Sequence, residues 1–266
     1  MNFLRKLAAV IRRDWLTAIR YGGASVLYAV GLVLEVTAFY FVARSVGPAY
    51  RPDGFDFFSF LVIGTGIWGF FLATVSSFVN AIREAQVSGS IEVLMTTATK
   101  PALLVTLSAA STILRDAAQL VLYLLAGFLL FGASNLHINL LSLMVISGLA
   151  FVLALAFGIL AAAVQIGIQK GGAVVWLLGS AVWLFSGTMF PVGVLPAVLQ
   201  RVSHLIPLTY ALDGLRLALL KGAPLSAMGG ILVVLAPLAA VLLPLAVTIF
   251  ALTLRLARRS GALSYY

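Results

Sequence analysis

The side chains that could do chemistry are few, and their spacing excludes most kinds of it. The 266 residues contain no Cys, which removes disulfides, thiolate metal sites and a cysteine nucleophile. His137 and His204 stand apart, without the clustered ligands a metal needs and without a nucleophile to activate. None of Lys6, Lys100, Lys170 and Lys221 lies in a Gly-x-x-x-x-Gly-Lys-Ser/Thr phosphate cradle. No catalytic residue, no metal and no nucleotide site is therefore expected in this chain. What remains is polar groups in unusual places. Glu35 sits near the middle of an apolar run, where a carboxyl is costly unless it is paired, protonated or facing a polar cavity. A structural hydrogen bond and a contact along a polar path are both open for it. Asp213 and Arg216 are three apart, a helical neighbour pair, with Tyr210 three residues earlier. That group is a candidate gate, or else an external surface pair of little energetic value.

The elements that position these groups are membrane helices. The chain is 62% hydrophobic and 9% charged, with a mean hydropathy of +1.13. It has too little polar surface to cover a water-soluble globule. Apolar runs long enough to cross about 30 Å of hydrocarbon recur, and only helices or closed barrels satisfy their own backbone there. The expected fold is an all-α single transmembrane domain, with spans over residues 23–46, 57–82, 102–131, 138–168, 172–190 and 230–254. Gly64, Gly66 and Gly69 in the second span permit close helix contact. Arg115-Asp116 marks one end of the third, and Pro237 and Pro244 bend the last.

Residues 1–22 place Leu4, Leu7, Ile11 and Trp15 opposite Arg5, Lys6, Arg12 and Arg13 at helical spacing. Such a helix lies in the interface, with its basic face toward anionic headgroups. No compact signal-peptide core precedes a small-residue cleavage site, so the first apolar run is expected to be retained. The net charge of +9 invites a nucleic-acid reading, but the cations sit between apolar runs, where topology accounts for them. With both termini cytoplasmic, the Lys and Arg residues left outside are Arg44, Arg51, Arg201, Arg216 and Lys221.

Two stretches interrupt the pattern. Residues 83–101, from Arg83 to Pro101, are the longest polar interruption; Gly89 can break a helix and Ser90 can cap a short new one carrying Glu92 in its first turn. Ile91, Leu94 and Met95 give that helix an apolar side suited to a partner's groove; a solvated connecting loop is the plainer alternative. Residues 191–221 are cut by Pro191, Pro196 and Pro207 into pieces too short to cross, which predicts two short helices that enter the outer leaflet and return.

Taken in order, these features resemble the membrane subunit of ABC type-2 exporters. Three patterns carry the resemblance: residues 83–94 (REAQVSGSIEVL), 190–196 (FPVGVLP) and 207–216 (PLTYALDGLR). It implies that Glu84, Gly89, Ser90, Ile91, Glu92, Leu94 and Met95 form a coupling helix seated in a groove of a separate ATPase subunit. Ser90 and Ile91 stand where the family commonly has threonine and leucine, and they keep the cap and the apolar contact. The resemblance further implies two copies of this permease with two ATPase subunits that carry ATP and Mg, moving a lipid, lipid-linked glycan or drug-like amphiphile outward. A bacterial inner membrane is the expected location. Glu35, Tyr210, Asp213 and Arg216 are then candidates for the translocation path or gate. The competing reading is an ion-gradient-driven secondary transporter using Glu35 as its coupling site, which lacks the internal repeat such proteins usually show.

Overall fold

The structure, a computed structural model, describes residues 22–87, 101–131, 136–168 and 170–260. Arg5, Lys6, Arg12, Arg13 and Trp15, expected at the interface, lie outside the described residues, as do Gly89, Ser90, Ile91, Glu92, Leu94 and Met95.

The described residues form eight α-helices and no strand: α1 Gly22–Val46, α2 Phe57–Val87, α3 Pro101–Phe131, α4 Leu140–Ile168, α5 Gly171–Phe185, α6 Ala197–Ser203, α7 Pro207–Leu220 and α8 Gly229–Ser260. Short polar side chains start two of them. The Asp56 carboxylate accepts from the Ser59 amide (3.0 Å) at the head of α2, and Asn139 Oδ1 accepts from the Ser142 amide (3.1 Å) at the head of α4. Pro207 opens α7, where its missing N–H costs nothing. Between α1 and α2 the chain turns through Gly47 (φ 94°), Asp53 (φ 52°) and Gly54 (φ 77°).

Five helices are long and apolar enough to cross a bilayer: α1, α2, α3, α4 and α8. The expected fifth span, residues 172–190, is not one continuous helix. Helix α5 has 15 residues, about 22 Å, and ends at Phe185. It ends there because Gly187 turns left-handed (φ 78°) and the Ser186 and Thr188 hydroxyls bond each other at 2.8 Å. Helix α2 runs on to Val87, into the stretch expected to be polar connector. The Arg115–Asp116 pair (3.7 Å) lies inside the candidate span Ala109–Phe131 and not at its end.

Helices α2 and α4 form the axis of the molecule. Ile63, Phe71 and Val75 of α2 meet Ile146 and Leu153 of α4, Leu212 and Leu215 of α7, and Leu235 of α8 in one core. Farther along, Phe78 and Ile82 meet Ile113 of α3 and Ile166 of α4. At the opposite end Leu32 and Val36 of α1 pack on Phe58 and Val62 of α2 and Tyr123 of α3. Since lipid tails are as apolar as leucine, close fit has to hold such helices together. A Cβ on Gly66 would lie 2.9 Å from the Tyr123 ring, whereas Gly69 faces open space. Leu27, Leu34, Leu129, Val233 and Val241 turn outward, as a lipid-facing surface requires.

Candidate functional site

The densest polar construction in the described residues is centred on Arg216, which is only 1% exposed. An expected surface partner of Asp213 is thus a buried side chain. Its Nη2 donates to three backbone carbonyls: Gly187 at 2.9 Å, Thr188 at 3.1 Å and Phe60 at 3.1 Å. Its guanidinium carbon lies 3.4 Å from the centroid of the Phe60 ring, a cation–π contact. Asp213 is exposed on the same helix, and the two form no ion pair. The helix periodicity allowed the pair, but carbonyls left free by the break after α5 take the guanidinium instead. Arg216 stays charged in such a site, so each bond is charge-assisted.

This site exists because α2 leaves room for it. A Cβ on Gly64 would collide with the Thr188 carbonyl and lie 2.5 Å from Arg216 Nη2. Gly64 therefore admits both the guanidinium and the returning backbone. The result is one cation tying α7, α2 and the turn after α5 together.

Side chains likewise satisfy the rest of the broken segment. Gln200 Nε2 donates to the carbonyls of Leu195 (2.8 Å) and Gly193 (3.2 Å). Thr209 Oγ1 donates to Ser203 O (2.9 Å) and the Tyr210 hydroxyl to His204 O (3.1 Å), closing the α6–α7 hairpin. Tyr210 is half-buried in that hairpin. A backbone whose stray carbonyls are met internally can sit at membrane depth, where a solvated loop could not.

The other end of the bundle holds a second buried link. Gln165 Nε2 donates to Gln86 Oε1 (2.8 Å), and Gln165 Oε1 accepts from the Gly171 amide (2.9 Å). Both glutamines are buried. They join the end of α2 to the α4–α5 turn, two residues before the undescribed stretch 88–100 begins. Glu84 is exposed on the last turns of α2 nearby. Glu35 belongs to neither construction. It is exposed on α1, which packs only on α2 and α3 among the described helices with substantial contact.

Sequence reasoning missed Gln86 and Gln165 and gave Gly64 a packing role only. A signal existed for Gln165, an amide within the last turn of an apolar run, since such a group in a span needs a partner. Nothing in the sequence pairs it with Gln86, 79 residues away.

No curated protein matches the chain. Residues 5–220, ending with the last residue of α7, match the model of a family described as ABC-2 type transporter. That match covers most of the 266 residues and agrees with five long apolar helices and a further short one, so the chain belongs to the ABC-2 type transporter family, as an integral, multi-pass membrane permease.

Proposed function

We propose that the chain is the permease subunit of an ATP-driven exporter, working as two copies with two cytoplasmic ATPase subunits and moving an amphiphile outward. The observation that carries the reading is the reach of α2 and α3. Both have 31 residues, about 46 Å, against a hydrocarbon core of about 30 Å. At one end they are held level, with Phe58 edge-on and Phe131 tilted against Tyr40 of α1 (centroids 5.8 and 4.8 Å from Tyr40). Counted from Phe58, about 30 Å of helix is used by Phe78, and Arg83, Glu84 and Gln86 lie beyond it. This length supports the reading that residues 88–100 stand clear of the bilayer, where a soluble partner would reach them. The Gln86–Gln165 link would pass a push on that stretch to α4 and α5.

On this reading both termini and residues 88–100 are cytoplasmic, in a bacterial inner membrane, and Ser90 caps a coupling helix whose Ile91, Leu94 and Met95 enter the ATPase groove while Glu84 and Glu92 make polar contacts. Gly89 breaks α2 from it. ATP and Mg belong to the partner. The basic face of residues 1–22, with Arg5, Lys6, Arg12 and Arg13 and with Trp15 at the boundary, rests on the headgroups. The exposed face of α1, with Glu35, turns toward the second copy and lines the path. The α6–α7 hairpin with Tyr210 and Asp213, anchored by Arg216, is the outer gate. Nucleotide-driven closure shifts the coupling helices and rocks the spans, with the energy coming from differential binding in the two states.

The test is Glu92→Arg and Leu94→Asp, each expected to abolish ATPase co-purification and export while leaving membrane insertion intact. Normal association and export in both variants contradicts the reading. Export that continues without ATP, and that stops when the ion gradient collapses or with Glu35→Gln, would replace it with a secondary transporter.

A further inference from the structure

At the end of the bundle opposite the Gln86–Gln165 link, the chain forms a half-open cavity of about 470 Å³ between the end of α1, the 47–56 turn, the head of α2 and the end of α7. That volume lies within the range of small-molecule sites, about 300–1,000 Å³. Its cations are Arg44, Arg51 and Lys221. Arg44 lies at the end of α1, Arg51 in the turn after it and Lys221 just past α7, and among the described residues none of them forms an ion pair. Arg44 donates to the Tyr40 hydroxyl (3.4 Å), and Lys221 Nζ donates to the Asp53 carbonyl (3.4 Å) and lies 4.4 Å from the Phe55 ring centroid. The one carboxylate in the lining, Asp56, is committed to the head of α2, where it accepts from both the Ser59 amide (3.0 Å) and hydroxyl (3.1 Å).

The charge distribution makes this convergence informative. External loops of membrane proteins are poor in Lys and Arg. Of the cations that the topology leaves outside, Arg216 is buried on carbonyls and three of the remaining four line this one cavity. Against these three cations the lining sets only the Asp56 carboxylate, so the cavity keeps a net positive charge that favours an anion in it. Beside the cations the wall is aromatic: Tyr40, Phe58 and Phe131 lie within 5.9 Å of one another by ring centroid. Cations at the mouth and apolar rings along α1, α2 and α3 match a group that is anionic at one end and apolar at the other.

We propose that this cavity binds the phosphate-bearing headgroup of an amphiphile in the outer leaflet, with Arg44, Arg51 and Lys221 on the phosphate and the aromatic wall against the apolar part below it. The assignment to the outer leaflet rests on the proposed function, which fixes the side; the binding itself does not. The site is separate from the Arg216 anchor and would retain or receive lipid next to the outer gate.

The test uses the full chain with its ATPase partner in detergent, titrated with dioleoyl-phosphatidylglycerol, dioleoyl-phosphatidylcholine and inorganic phosphate, with bound lipid counted by native mass spectrometry. A cation beside an anionic headgroup contributes about fivefold in affinity, and three together on the order of a hundredfold. The anionic lipid is expected to bind at least about tenfold tighter than the zwitterionic one. Substituting Arg44→Gln, Arg51→Gln and Lys221→Gln together should weaken it by about a hundredfold, each alone by about fivefold, while Arg201→Gln changes nothing. The charge-keeping set Arg44→Lys, Arg51→Lys and Lys221→Arg should retain most of the binding, which separates lost charge from lost fold. Competition by inorganic phosphate assigns recognition to the phosphate alone; its absence, with the charge dependence intact, assigns recognition to the lipid-borne headgroup. Equal binding by the wild type and the single and triple Gln variants overturns the proposal, as does equal weakening by Arg201→Gln. ATPase co-purification is scored on the same samples, so loss of the partner with intact lipid binding counts against the proposed function and not against the cavity.

Discussion

Helices α1 and α2 have nearly the same mean hydropathy, 2.0 and 1.9, yet 6% of the first span is buried in the protein and 67% of the second. Hydropathy reports that both belong in a bilayer and says nothing about what each touches. The difference lies in the small and polar residues. Helix α2 carries Ser59, Thr65, Thr74, Ser77 and Gln86, all buried, and Gly64 and Gly66 where neighbours come close. Helix α1 shows its neighbours only Leu32, Val36 and a few rings, and presents Glu35 on the exposed side. One helix is the spine of the protomer. The other has a face built for something outside it.

Breaking the spine should have the largest effect. Arg216→Ala strands the carbonyls of Gly187 and Thr188, and Gly64→Val drives a side chain into the same space. Each is expected to cost about 3–5 kcal/mol, enough to prevent accumulation of folded protein, read by denaturant titration in detergent. Arg216→Lys restores the charge but not the planar fork, and should recover only part. Next is Gln165→Leu, which leaves Gln86 and the Gly171 amide without a partner and should cost about 1–3 kcal/mol. Because that link joins α2 to the α4–α5 turn, the variant should also give less export for each ATP its ATPase partner hydrolyses. Tyr210→Phe removes a single bond to the His204 carbonyl, about 1 kcal/mol in the same titration. Smallest in stability is Glu35→Gln, within about 0.5 kcal/mol of wild type, because the side chain is exposed and has no partner among the described residues. Export should nevertheless slow severalfold if α1 lines the path. A large stability loss with Glu35→Gln, or none with Arg216→Ala, would erase the contrast between the two helices.

The long helices were legible because runs of some 20 apolar residues leave the backbone no other way to satisfy itself in lipid. Legible too was the broken segment before α8, since Pro191, Pro196 and Pro207 forbid a continuous helix there. The end of α5 was not, because Ser186, Gly187 and Thr188 are uncharged and read as part of a span; the guanidinium that takes the Gly187 and Thr188 carbonyls freed there comes 28 residues on from Thr188. The same long-range contact hid the role of Arg216. Its local neighbour Asp213 offered an i,i+3 partner, and nothing local showed that Gly64 had cleared a better one. The convergence of Arg44, Arg51 and Lys221 needed the fold as well, since Lys221 is far in sequence from the other two and like them only in its sign.

The central claim is that residues 88–100 stand on the cytoplasmic side under an ATPase. The chain has no Cys, so single cysteines report without background. With Ser90→Cys and Ala49→Cys introduced separately, a membrane-impermeant maleimide added to intact cells should label Ala49→Cys and spare Ser90→Cys. In inside-out vesicles it should label Ser90→Cys once the ATPase is stripped away, and far less while the ATPase is bound. Labelling of Ser90→Cys from outside, or equal labelling with and without the partner, would contradict the account.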